Sequence, residues 1–150
     1  MPCARIVVPC ARSKIQAMER HGIPQEITPV LKDWDCTYHD PIESWQPETD
    51  VVDYHLALHI GPPDLEAADL WYVQVFTPAG LARAKQEGQR IGPKPPIIVR
   101  PYRWSAVLDE AQRRVASCTG FGWLDVQEKL RRQFHWEWEG MAQMSEKTLL

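Results

Sequence analysis

From Val52 to Ile60 the chain alternates without a break. Val52, Tyr54, Leu56, Leu58 and Ile60 fall on one side, and Asp53, His55, Ala57 and His59 on the other. A period of two is that of a strand with one buried and one wet face. Gly61-Pro62-Pro63-Asp64 stops it, and Leu70 to Phe76, rich in aromatic and β-branched residues, predicts a second strand. The two are expected to form a hairpin closed by the acidic segment between them. Upstream, Ile27 to Cys36 predicts a further strand, with Ile27, Val30, Trp34 and Cys36 turned to the core. Asp40 to Asp50, which holds Pro41 and Pro47 among acids, predicts a loop.

After Phe76 the period changes. Thr77-Pro78 is a helix start, because Thr caps free amides and Pro at the first helical position gives up a donor that had no partner. That helix is expected to end near Gly88. Ile97-Ile98-Val99, between Pro96 and Pro101, predicts a short strand. Trp104, Val107, Leu108, Ala111, Val115 and Cys118 repeat as one face of a helix ended by Gly120, and Trp123, Val126, Leu130 and Phe134 as one face of another. Trp136 and Trp138 then alternate with Glu137 and Glu139, which suggests a final extended piece. The fold class is therefore α+β: an antiparallel sheet of about four strands with about three helices packed mainly on one face. Residues 1–25 carry three prolines and no sustained periodicity, so they read as a flexible N-terminal extension, with Met18 as a candidate start. Residues 26–150 read as a single domain.

Composition adds bounds. At 150 residues with 44% apolar content, the chain has enough material for one core. No apolar run approaches the roughly 20 residues of a membrane helix, and none makes an export signal, so the cytoplasm is the expected location. The four cysteines, Cys3, Cys10, Cys36 and Cys118, form no CxxC pair and suit a reducing compartment. Net charge is only −3, but ten Asp or Glu stand against one Lys between Lys32 and Asp69, whereas eleven Lys or Arg stand against five acids between Leu70 and Trp136. The first half therefore presents an acidic surface, which repels nucleic acid and attracts a basic protein; on composition alone it reads more plainly as a solvated face.

No phosphate-binding, nucleotide-binding, nucleophile-elbow or zinc-protease motif is present. Asp53, His55 and His59 share a strand face and could serve a small metal-binding protein or enzyme. The two histidines are four residues apart, however, and the plainer reading is polar residues on a wet face. Cys118 falls on the apolar stripe of its helix, where a thiol is inert. Trp45 stands out, a large aromatic in the acid- and Pro-rich loop Pro41 to Pro47. It is either a binding anchor ringed by carboxylates or a lid folded back on the core.

One resemblance covers Thr28 to Met141. It rests on Thr77, Pro78 and Leu81; on Ile98, Val99 and Arg100; and on Gly122, Trp123, Leu130, Phe134, Trp136 and Glu137, in that order and spacing. The combination resembles the Immunity protein 8 family of bacterial polymorphic toxin systems. A departure is the end, where Trp138-Glu139 runs into Gly140-Met141 instead of an acidic-aromatic close. The resemblance implies an immunity protein that neutralises a cognate toxin, encoded next door, by stoichiometric binding. It implies no catalytic residue, cofactor, metal, nucleic acid or membrane. Combined with the acidic loop, it points to an interface of Glu43, Trp45, Glu48, Asp50, Asp53 and His55. An adaptor subunit without a toxin partner is the other binding reading.

Overall fold

The computed structural model describes residues 25–139. The expected extension before residue 25, the candidate start at Met18, and Cys3 and Cys10 lie outside the described residues.

The predicted hairpin is the centre of the fold. Strand β3 (Asp53–Gly61) pairs antiparallel with β4 (Asp69–Phe76), in register from Asp53 opposite Phe76 to Ile60 opposite Asp69. On one face Leu56 meets Val73 and Leu58 meets Trp71; on the other His55 meets Gln74 and Ala57 meets Tyr72. The remaining strands are β1 (Glu26–Ile27), β2 (Val30–Asp35), β5 (Ile97–Ile98), β6 (Gly120–Phe121) and β7 (His135–Trp136). β2 runs antiparallel along β3 with an irregularity between Leu31 and Asp33. β5 lies parallel to β4 at Val75 and Phe76, and β7 antiparallel to it at Trp71 and Tyr72, so the two share its far edge. This five-stranded sheet is mostly antiparallel, and β1 and β6 form a separate two-stranded ladder.

Among the described residues three helices complete the α+β fold: α1 (Pro78–Gln86), α2 (Trp104–Ala116) and α3 (Trp123–Gln133). Val107, Ala111 and Val115 of α2 and Trp123, Val126 and Leu130 of α3 join Tyr54, Leu56, Leu58, Ile60, Trp71, Val73 and Val75 in one core cluster. Each fully buried aliphatic or aromatic side chain there contributes about 1.5–3 kcal/mol relative to exposure. Trp136 stacks on Trp71 with ring centroids 5.7 Å apart, which fastens β7 to the core. Among the described residues no helix is long and apolar enough to cross a membrane.

The expected antiparallel sheet is present, with the end of the chain's extended piece, His135–Trp136, adding β7 as its fifth strand. Several other expectations are corrected. The single strand expected from Ile27 to Cys36 is broken at Thr28–Pro29, where proline has no amide to donate to a ladder. Of its four core candidates only Cys36 is buried; Ile27 and Trp34 are half-buried and Val30 is exposed. His59, read as wet, is buried opposite Asp33 and Leu70. The final alternation does not persist as a strand, since the chain turns after Trp136 and leaves Trp138 half-buried. Cys36 and Cys118 are free buried thiols, and burial pushes the Cys118 thiol up, in keeping with an inert role.

Candidate functional site

The loop between β2 and β3 is held at three points. Cys36, Ile42 and Val52 are buried in the core cluster, and Ile42 opens a single helical turn, Ile42–Ser44, whose carbonyl accepts from the Trp45 amide at 3.2 Å. The Thr77 hydroxyl closes the far end. It donates to the Asp50 carbonyl and accepts from the Val52 amide at 3.1 Å, while capping α1 through the Gly80 amide at 3.2 Å. One threonine thus fixes both the start of a helix and the end of the acidic loop. The Gly80 backbone lies so close to Val52 that a Cβ there would fall 1.9 Å from the Val52 carbonyl oxygen.

Between these points the loop lays aromatic rings on the edge of the core. Trp45 stacks on His39 at 3.8 Å and meets Tyr102 at 5.3 Å and Tyr54 at 5.9 Å edge-on. The Tyr54 and Tyr102 hydroxyls are 2.8 Å apart. Burial is the main reason the phenols of Tyr54 and Tyr102 are pushed up and the His39 imidazole is pushed down. Trp34 and Trp104 form a second pair at 5.7 Å, and the Trp34 indole N–H donates to Glu43 Oε2 at 2.8 Å. Trp34, Trp45, Tyr102 and Trp104 are all half-buried, so each offers part of its ring to the outside.

Glu43 stands beside the rings and Asp40, Glu48 and Asp50 are exposed on the same loop, whereas Asp33, Asp35 and Asp53 alternate onto the other face of the sheet. The segment's one cation points elsewhere. The Lys32 ammonium donates to the Leu65 carbonyl and, at 3.3 Å, to that of Ala67, inside the β3–β4 connection. Half-buried tryptophans with an acidic rim suit recognition of a basic protein surface, where aromatic anchors carry affinity and charge speeds encounter.

The six residues expected from the sequence divide between two faces. Glu43 and Trp45 belong to the aromatic cluster, and Glu48 and Asp50 are exposed on the loop that leads from it. Trp45 packs on Tyr54, whereas Asp53 and His55, its neighbours on β3, project from the opposite face. Sequence reading missed His39, Tyr54, Tyr102 and the Trp34–Trp104 pair as parts of this cluster. By sequence pattern Trp34 and Trp104 each fall on the core stripe of their own element. For the metal-binding reading, Asp53, His55 and His59 lie along one face with His59 buried. Among the described residues no group of three or more His, Cys, Asp or Glu is arranged to hold a metal ion.

Residues 30–141 match the family described as Immunity protein 8. No curated protein and no solved structure matches the chain.

Proposed function

Because the chain belongs to the Immunity protein 8 family, we propose that it binds and neutralises a cognate toxin domain by stoichiometric contact, without turnover or cofactor. The observation that carries this reading is the aromatic cluster around Trp45, half-buried and rimmed by carboxylates whose one neighbouring lysine is engaged inside the fold. Glu43, Trp45, Glu48 and Asp50 form the principal contact in this proposal, with Trp34 and Trp104 beside them and Asp53 and His55 at its margin. A basic toxin is the chemistry that such a surface attracts.

Co-expression tests it. The product of the adjacent gene is induced in a susceptible cytoplasm with and without this protein. Growth restored together with a 1:1 complex supports the reading. Toxicity that this protein leaves untouched rejects it and favours an adaptor role.

A further inference from the structure

The face of β3 and β4 turned away from α2 and α3 carries a cleft of about 350 Å³, within the range of small ligand sites. Its floor is His55, Tyr72 and Gln74, with His135 of β7 beside Tyr72; its wall is the segment from Arg90 to Pro95. We propose that this cleft receives a carboxylate-bearing segment of the partner protein, with Arg90 as the principal contact and His55, His135 and Gln74 as further donors. The inference rests on the toxin-binding reading and adds a second, oppositely charged contact to it.

The charges point to this occupant. Apart from Tyr72, every ionisable side chain lining the cleft is basic: His55, Arg90, Lys94 and His135. The Lys94 ammonium is already engaged, by the Arg131 carbonyl and by Glu139 at 3.2 Å. Arg90 is exposed and makes no ion pair among the described residues. A guanidinium at the mouth of a polar cleft is suited to a carboxylate, which it grips through two parallel bonds. The surroundings disfavour an extended polyanion. Asp53 precedes His55 on the same face; burial, then Glu137 and Asp35, push the Tyr72 phenol up; and Glu139 lies 3.9 Å from His135. Nucleic acid would meet those carboxylates, whereas one acidic side chain would not.

The wall is built before any partner arrives. Arg114 of α2 donates to the Pro95 and Pro96 carbonyls at 2.7 and 2.8 Å, Lys94 ties the segment to the end of α3, and Gln74 donates to the Arg90 carbonyl at 3.5 Å. Gly92 turns the wall at φ +93°, a conformation that side-chain-bearing residues rarely adopt. Binding therefore has little backbone ordering to oppose it.

The test uses the purified toxin domain from the rescue experiment, titrated into isotope-labelled wild-type protein and into Arg90→Glu, Arg90→Lys and Trp45→Ala. Expected are amide shifts at His55, Gln74, Arg90 and His135, a Kd weakened at least tenfold by Arg90→Glu, and most of the affinity kept by Arg90→Lys. Circular dichroism checks that the variants fold. Toxin bound equally by wild type and Arg90→Glu, without shifts at the cleft, overturns the inference and leaves the immunity role standing. Toxin that does not bind the wild type removes the immunity role itself. Cleft shifts produced by inorganic phosphate, by an RNA oligonucleotide, or by raising the concentration of the chain alone, but not by toxin, assign the cleft to another occupant and also overturn it.

Discussion

Replacing Trp45 with alanine separates a lid from a pure anchor, and the structure sets the size of the effect. Three ring contacts are lost, to His39 at 3.8 Å, Tyr102 at 5.3 Å and Tyr54 at 5.9 Å. At about 0.5–1.5 kcal/mol each beyond simple burial, they would sum to roughly 1.5–4.5 kcal/mol. They share one ring and do not add fully, while the lost apolar area adds to the cost, so about 2–4 kcal/mol is the expected destabilisation. For a domain of this size that lowers Tm by roughly 4–16 °C. Thermal melts followed by circular dichroism measure it, with a urea midpoint as the second readout at unchanged slope. Trp45→Phe, which keeps an aromatic edge toward Tyr102, should recover about half of the loss. A Tm shift under about 2 °C for the alanine variant would refute the packing argument and leave Trp45 as a ring exposed for a partner alone.

Three further outcomes follow from the same geometry. The Glu110 carboxyl is held down at about 2, first by the hydrogen bond from Arg113 and then by Arg114, against burial. A carboxylate depressed in the folded state stabilises above its ordinary value of 4.5 and loses that contribution as pH falls toward 2, so Glu110→Gln should flatten the Tm profile in that window. Gly80→Ala drives a Cβ to 1.9 Å from the Val52 carbonyl oxygen, and because the contact is backbone on backbone it should cost more than about 2 kcal/mol, seen as a lower urea midpoint or loss of soluble protein. Charge reversal of Glu48 and Asp50, both exposed, should leave Tm nearly unchanged yet slow association with the toxin and weaken its salt dependence. Stopped-flow rates at two ionic strengths decide that, and unchanged rates would remove the acidic loop from the interface.

The hairpin and all three helices were legible because their periods are strong and local. Val52, Tyr54, Leu56, Leu58 and Ile60 alternate over nine residues, and Val107, Ala111 and Val115 repeat over two helical turns. What escaped was set by distant partners. The alternation after Phe134 pointed to an extended piece, but not to its partner: His135–Trp136 pairs only two residues with β4, where Trp136 stacks on its register partner Trp71. His59 carried the pattern of an exposed residue and is buried all the same. The aromatic cluster was hidden for a related reason. A half-buried Trp34 or Trp104 occupies the same place in a periodic pattern as a fully buried one, and only the meeting of strand, loop and helix shows which rings reach the edge. The wall of the cleft has no period at all between Arg90 and Pro95, so its basic lining becomes visible only when that segment is set against His55 and Gln74.

The two proposed contacts approach each other at the start of β3, where β2 has ended: Tyr54 carries the Trp45 loop and His55 belongs to the floor of the cleft. Along this edge β2 reaches only as far as Asp35 opposite Ala57, so the first four residues of β3 have no strand beside them. The loop that carries Trp45 packs against Tyr54 there, while Asp53 and His55 turn to the open face. A partner gripping this corner would meet an acidic aromatic rim on one side and a basic cleft on the other. A uniformly basic protein would be drawn to the rim but repelled at Arg90; an acidic one would fit the cleft but be repelled by the rim. Only a surface with cations and a carboxylate in matching register satisfies both, so specificity would arise as much from repulsion of wrong partners as from attraction of the right one. Double reversal, Glu48→Lys with Arg90→Glu, should therefore lose more affinity for the cognate toxin than either change alone. If one of the two single variants already abolishes binding and the other has no effect, the corner carries a single contact and the two-contact argument fails.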